Sequence, residues 1–191
     1  MTFYHPRTSI FGIPNYNTMP TRSIFTIPGS LRDGSSNHNI LKFLGKLAPD
    51  NIDYTIYDSL ATIPPFDPGL DNDTPPRPVT ELRQLITAAD AVIICTPEYA
   101  FGVPGQLKNA LDWLVSSGTL VDKPVILITA SSSGEYTHPS LLRTLGALSA
   151  NVVEDACLLV PFIRAKIVDG VLDDGLKEEL EKAFESLLKI L

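Results

Sequence analysis

The sequence predicts a three-layer α/β sandwich, with a five-stranded parallel sheet in the order 2-1-3-4-5 and helices on both faces. Three observations carry this expectation. First, short β-branched or wholly apolar runs alternate along the chain with segments whose apolar residues recur at helical spacing. Alternation of that kind means a parallel sheet covered on both sides, and right-handed crossovers leave few strand orders. Second, the pattern stops at five strands, without the second half of a dinucleotide fold, which favours the order 2-1-3-4-5. Third, the loops after the first, third and fourth strands are the richest in Gly, Ser and Pro. They converge at the carboxyl ends of the strands, where such sheets bind ligands.

Residues 1–22 stand apart: they hold no acidic residue and are rich in Pro and Thr, and they read as an extension ahead of a domain over 23–191. Arg7-Thr8-Ser9-Ile10-Phe11-Gly12-Ile13-Pro14 nearly repeats Thr21-Arg22-Ser23-Ile24-Phe25-Thr26-Ile27-Pro28, but one echo is not a solenoid. Ile24 to Ile27 forms the first strand. Ile40, Leu41, Leu44 and Leu47 give the first helix, which Pro49 closes. Ile52 to Tyr57 alternates as the second strand, and a Pro- and Asp-rich loop follows to about Pro78. Val79, Leu82, Leu85, Ile86 and Ala89 line the second helix. Ala91 to Cys95 is continuously apolar, as suits a central strand buried on both faces. Pro104 opens a third helix with Leu107, Ala110, Leu111 and Leu114 inward. Val125 to Thr129 is the fourth strand and Leu141 to Leu148 the fourth helix. A fifth strand lies within Val152 to Val160, and a last helix spans about Gly175 to Leu191.

The bulk numbers remove several function classes. A chain of 191 residues is one domain, and a domain of this size buries roughly 70% of its unfolded-chain surface without metal or disulfide. Its formal charge of −7, with no basic run, argues against nucleic acid. No apolar run approaches the ~18 residues of a membrane span, and no secretory leader pattern opens the chain. Cys95 and Cys157 stand alone in apolar runs and read as buried small hydrophobes of a cytoplasmic protein. His5, His38 and His138 lack metal-ligand spacing.

The loop Gly29-Ser30-Leu31-Arg32-Asp33-Gly34-Ser35-Ser36-Asn37 has the chemistry of an anion site. Glycine allows close backbone approach, hydroxyl and amide groups donate, the following helix offers unpaired N–H groups, and Arg32 adds a forked cation. A plain turn with Ser35 as N-cap is the alternative. The loop matches a Walker A frame, but Ser35 stands where the phosphate-binding lysine belongs. A monophosphate therefore suits it better than a triphosphate.

Gly29-Ser-Leu-Arg32-x-x-Ser35-x-Asn37, Thr96-Pro97-Glu98-Tyr99 and Pro104-Gly105-x-Leu107-Lys108-Asn109-Ala110-Leu111-Asp112-Trp113 together resemble the NADPH-dependent FMN reductase family. That group includes quinone, azo and chromate reductases of flavodoxin-like fold. The resemblance covers about Ser23 to Val160 and implies FMN as cofactor, with NADPH or NADH as co-substrate. It implies that Gly29, Ser30, Arg32, Ser35 and Asn37 hold the FMN phosphate. Pro97, Glu98, Tyr99 and Ala100 would line the ribityl chain and ring, and Ser131, Ser132 and Gly134 would close the other side. It also implies a homodimer or homotetramer. Three positions depart from the family pattern: Ala100 replaces Asn, Pro28 replaces a small residue with a free N–H, and the Ser131–Gly134 loop lacks a glycine pair.

Hydride transfer through a flavin needs no protein nucleophile, so no catalytic side chain is assigned. Glu98 reads as a loop carboxylate with a structural partner. Trp113 reads as core or interface, and Lys108 with Asp112 as an i, i+4 pair. The expected activity is ping-pong reduction of a quinone or similar small acceptor by NAD(P)H. Two alternatives stand beside it: an FMN-binding electron carrier without its own reductase activity, and a chain that has lost FMN. Arg32 and the Pro-Gly-x-Leu-Lys-Asn run favour the reductase over the carrier, whereas Ala100 and Pro28 keep loss of FMN open.

Overall fold

A computed structural model describes residues 22–191. The proposed extension and its echo at 7–14 lie outside the described residues, apart from Arg22, which opens the first strand. The order of elements is β1 (Arg22–Pro28), α1 (Ser36–Leu47), β2 (Ile52–Ile56), α2 (Arg77–Ala88), β3 (Ala91–Thr96), α3 (Gly105–Asp112), β4 (Pro124–Ala130) and α4 (Thr137–Ala147). Then come β5 (Asn151–Val152), β6 (Leu158–Val160), α5 (Ile163–Lys166), β7 (Ile167–Val168), β8 (Val171–Leu172) and α6 (Asp174–Leu188). The sheet runs β2-β1-β3-β4-β5, all parallel, as the alternation of the sequence requires.

The expected fifth strand is two short pieces. Both β5 and β6 pair with β4, and a 3₁₀ turn at Glu154–Ala156 separates them. Two adjacent acidic residues, Glu154 and Asp155, are exposed at that turn and interrupt an otherwise apolar run. The antiparallel hairpin β7–β8 and the four-residue α5 had no periodicity to announce them.

Burial follows the two periodicities. Every residue of β3 is buried, as a strand covered on both faces must be. One core layer packs α2, α3 and α4 on the sheet through residues such as Leu82, Ile86, Leu111 and Leu145. The other packs α1 and α6 through Leu41, Leu44, Leu180 and Phe184. Trp113 lies wholly in the first layer and its indole N–H donates to the Pro64 carbonyl at 2.9 Å. Gln106 donates to Leu60 and Ile63 carbonyls at 2.8 Å each, and Asn109 donates to Pro64 at 2.9 Å and accepts from Phe66 N–H at 2.7 Å. The polar residues of the α3 motif thus pin the long loop after β2 to the body of the domain. That leaves the carboxyl ends of β1, β3 and β4 open beside α1.

Candidate functional site: a cavity at the strand ends

A cavity of about 400 Å³ opens at the carboxyl ends of β1, β3 and β4. It is lined by Ser30, Arg32, Ser35, Ser36, Asn37, Pro97, Glu98, Tyr99, Ala130, Ser131, Ser132, Ile163 and Arg164. Nine of the twelve residues singled out by sequence therefore meet in one place, whereas Gly29, Ala100 and Gly134 do not line it. A wider hollow of about 700 Å³ runs along the outer face of α2, lined by residues such as Pro75, Arg83 and Gln84. Its two guanidiniums are already paired, Arg77 with Glu81 and Arg83 with Asp71.

The first wall is the β1–α1 loop. Gly29 is buried in the strand end, and its N–H donates to the Cys95 carbonyl at 2.8 Å. A Cβ there would lie 2.7 Å from Thr96 Cβ and 3.0 Å from Leu107. Packing against β3 and α3 thus requires glycine here. Ser35 caps α1, its hydroxyl accepting from His38 N–H at 3.2 Å, and retains its own proton for an anion. The amides of Ser36 and Asn37 lie at the start of the helix, where intrahelical acceptors are lacking. Arg32 is exposed at the rim and its side chain has no acceptor among the described residues.

Asn37 lines the cavity and is also engaged within the fold. Its side-chain amide is buried and donates to the Ala130 carbonyl at 3.2 Å, with Cys95 Sγ 3.6 Å away. The side chain ties the helix start to β4. Burial pushes the Cys95 thiol up to about 12, and the Asn37 hydrogen bond opposes this only in part, so Cys95 stays an unreactive core thiol.

The second wall is the loop after β3. Ser131 Oγ accepts the Glu98 backbone N–H at 3.1 Å, and Tyr99 Oη lies 3.3 Å from Ser30 Oγ, linking this wall to the first. The Glu98 carboxylate accepts from the backbone N–H groups of Thr137 at 2.8 Å, Tyr136 at 2.9 Å and Gly134 at 3.2 Å. Desolvation raises its pKa, but the three amide donors outweigh that and hold the carboxyl below its ordinary range. Glu98 is thus an anionic cap on the first turn of α4, with no role for it as a proton donor near neutral pH.

Beyond Glu98 the chain turns tightly: Tyr99 and Gly102 exchange N–H···O bonds at 3.0 and 2.9 Å. Ala100 at φ +48° and Phe101 at φ +61° occupy the two central positions, both left-handed. Ala100 does not line the cavity, and a side-chain amide at this position would suit the turn, because Asn tolerates left-handed backbone. Pro28 costs no ladder bond either. Thr26 carbonyl accepts Tyr57 N–H at 2.8 Å on the β2 side, and the alternation of a strand turns the backbone of residue 28 to that side, past the end of β2.

The third wall is the loop after β4. Gly134 is left-handed at φ +90°, and a Cβ there would lie 2.7 Å from Leu159. It shapes the loop from behind. Ser36, Ala130, Ile163 and Arg164 complete the cavity and were not singled out by sequence. Ser36 sat in plain view within the Ser-rich loop; Ile163 and Arg164 carry no motif.

The donor set fits a flavin mononucleotide. Hydroxyls, orphan amides and a guanidinium come from the α1 side, and Pro97 adds apolar surface from the loop after β3. The volume lies within the range of roughly 300–1,000 Å³ typical of small-molecule sites.

Comparison with known proteins agrees with that fit. The family model described as NADPH-dependent FMN reductase matches residues 22–164. A quinone reductase of Escherichia coli (strain K12) is 40% identical over 166 residues, covering 82% of this chain and 88% of its own. The NADH:(hydroxy)cinnamate reductase subunit CrdA of Vibrio ruber is 37% identical over 170 residues, covering 85% of this chain and 83% of its own. The solved structure of FerB, a flavoenzyme NAD(P)H:(acceptor) oxidoreductase from Paracoccus denitrificans, superposes with a TM-score of 0.72 at 25% identity, over 88% of this chain and 98% of that one. The fold, the donor set and the family match concur: the chain belongs to the NADPH-dependent FMN reductase family.

Proposed function

We propose that this chain uses bound FMN and NAD(P)H to reduce quinones or similar small acceptors, the two substrates taking turns at one open face of the cavity. The observation that carries this reading is the asymmetry of the site. Donors suited to an anion come from the α1 side, while the Pro97–Tyr99 and Ser131–Ser132 walls offer no free base and so no activated nucleophile. Bound FMN would supply the hydride acceptor and donor that these walls lack.

The chain's own residues then have limited tasks. Ser30, Ser35, Arg32 and the helix-start amides hold the phosphate. Pro97, Glu98, Tyr99, Ser131 and Ser132 line the ring, and Glu98 keeps its loop fixed against α4. Gly29, Ala100 and Gly134 act by shaping the three loops. Exposed aromatic residues stand on two of those loops, Tyr99, Phe101 and Tyr136, and just before α5, Phe162. Phe101 and Tyr136 meet edge to face at 5.2 Å. They favour planar apolar acceptors, or the matching face of a second subunit in a homodimer or homotetramer. No helix among the described residues is long and apolar enough to cross a membrane, and we place the enzyme in the cytoplasm. We assign the residues ahead of Arg22 to an extension and the rest, Arg22 included because it opens β1, to the FMN-binding domain.

Initial rates of NADPH oxidation at several fixed benzoquinone concentrations test the proposal. Parallel double-reciprocal lines are expected from two substrates that alternate at one face. Intersecting lines, or no oxidation by the FMN-loaded protein, contradict it.

A further inference from the structure

The cavity holds a second guanidinium. Arg164 lies in α5 and lines the same cavity as Arg32, Ser35 and Ser36. Its position is built into the backbone. Phe162, just before α5, is left-handed at φ 54°, ψ 35°, a conformation that disfavours residues bearing a side chain. Phe162 N–H donates to the Ser132 carbonyl at 3.2 Å, and Ile163 N–H to the Ser131 carbonyl at 3.0 Å. Ile163 is buried in the α1–α6 core layer. These contacts fasten the start of α5 to the loop after β4. The start of α1 is fastened to the same strand end, through Asn37 to the Ala130 carbonyl. Consecutive residues 130–132 therefore hold both α1 and α5 beside the cavity.

The charges lack a counterpart. Neither Arg32 nor Arg164 forms an ion pair among the described residues. Glu98, the one carboxylate lining the cavity, is engaged by three backbone donors. Two guanidiniums beside one cavity repel each other unless an anion lies between them. A phosphomonoester carries about −1.5 to −2 charges near neutral pH, enough for both.

We propose that Arg164 is a second phosphate-binding residue, which brackets the FMN phosphate from the α5 side as Arg32 does from the β1 loop. This rests on the phosphate lying at Ser30–Asn37, which Arg32→Ala tests separately.

The experiment titrates the flavin-stripped full chain with FMN and with riboflavin, reading flavin fluorescence, for wild type, Arg164→Ala, Arg164→Lys and Arg32→Ala. Riboflavin has the same ring without the phosphate. Arg164→Ala is expected to weaken FMN by about tenfold or more, the scale of one charge-assisted contact, and to leave riboflavin unchanged. Arg164→Lys should recover part of the loss. Three results overturn the proposal. One is unchanged FMN affinity in Arg164→Ala, including the case in which the variant instead binds NADPH more weakly and NADH equally, which reveals a nicotinamide-phosphate contact. Another is an equal loss of FMN and riboflavin, which marks damage to the α5 turn. The last is an unchanged FMN-to-riboflavin ratio in Arg32→Ala, which removes the phosphate from the loop altogether.

Discussion

The Glu98 carboxylate accepts the backbone N–H of Thr137 at 2.8 Å and so joins the loop after β3 to the first residue of α4. Two further amides, of Tyr136 and Gly134, complete the grip. Glu98→Ala removes a half-exposed carboxylate from three donors and is expected to cost about 1–3 kcal/mol, read as a lowered denaturant midpoint with an unchanged slope.

The same contact sets a pH dependence. The folded-state pKa of Glu98 is lowered, so the unfolded chain binds its proton first. The stabilisation is present in full above the unfolded value of about 4.3 and is lost as pH falls through the folded value. The stability difference between wild type and Glu98→Gln should therefore be constant at neutral pH and shrink below about pH 4. A difference that stays constant down to pH 2 would show that the carboxylate charge has no part in the contact.

Ala100 and Phe101 hold left-handed backbone at φ +48° and +61° without being glycine. Ala100→Gly is expected to stabilise the protein by up to about 1 kcal/mol, since relief of the Cβ strain outweighs the added freedom of the unfolded chain. Ala100→Asn should move in the same direction by less. Thermal midpoints check both, and flavin affinity should not change, because position 100 does not line the cavity.

Gly29 tolerates no side chain. Its added Cβ would lie 2.7 Å from Thr96 Cβ, within a buried strand pair that cannot yield cheaply. Gly29→Ala should cost about 1–3 kcal/mol. Gly105, where a Cβ meets nothing within 4 Å, is the control position: Gly105→Ala should be neutral or stabilising.

Much of this was legible in the residues, for reasons that differ by element. The apolar spacing of Ile40, Leu41 and Leu44, and of Leu176, Leu180 and Phe184, marks amphipathic helices, and all six are buried. The continuous run Ala91 to Cys95 could only be a central strand. The site loops were visible because phosphate binding demands small residues and donors at a strand end. What stayed hidden is set by backbone and by distant contacts. That Asn37 turns its amide to Ala130, 93 residues away, cannot be read from a loop motif. The demand for glycine at Gly29 comes from Thr96, and the demand at Gly134 from Leu159. Arg164 sits in Pro-Phe-Ile-Arg-Ala-Lys, where nothing marks it out, and only the left-handed turn at Phe162 brings it to the cavity.

The central claim is that the cavity of Ser30, Arg32, Tyr99 and Ser131 holds FMN and lets electrons pass from a nicotinamide to a small acceptor. Anaerobic absorbance spectroscopy of the purified protein tests it most directly. FMN-loaded protein should lose its visible flavin absorbance on addition of one equivalent of NADPH or NADH, and recover it on addition of one equivalent of benzoquinone. Protein that retains no flavin after incubation with FMN and removal of the excess, or whose bound flavin stays oxidised with either nicotinamide, would contradict the account.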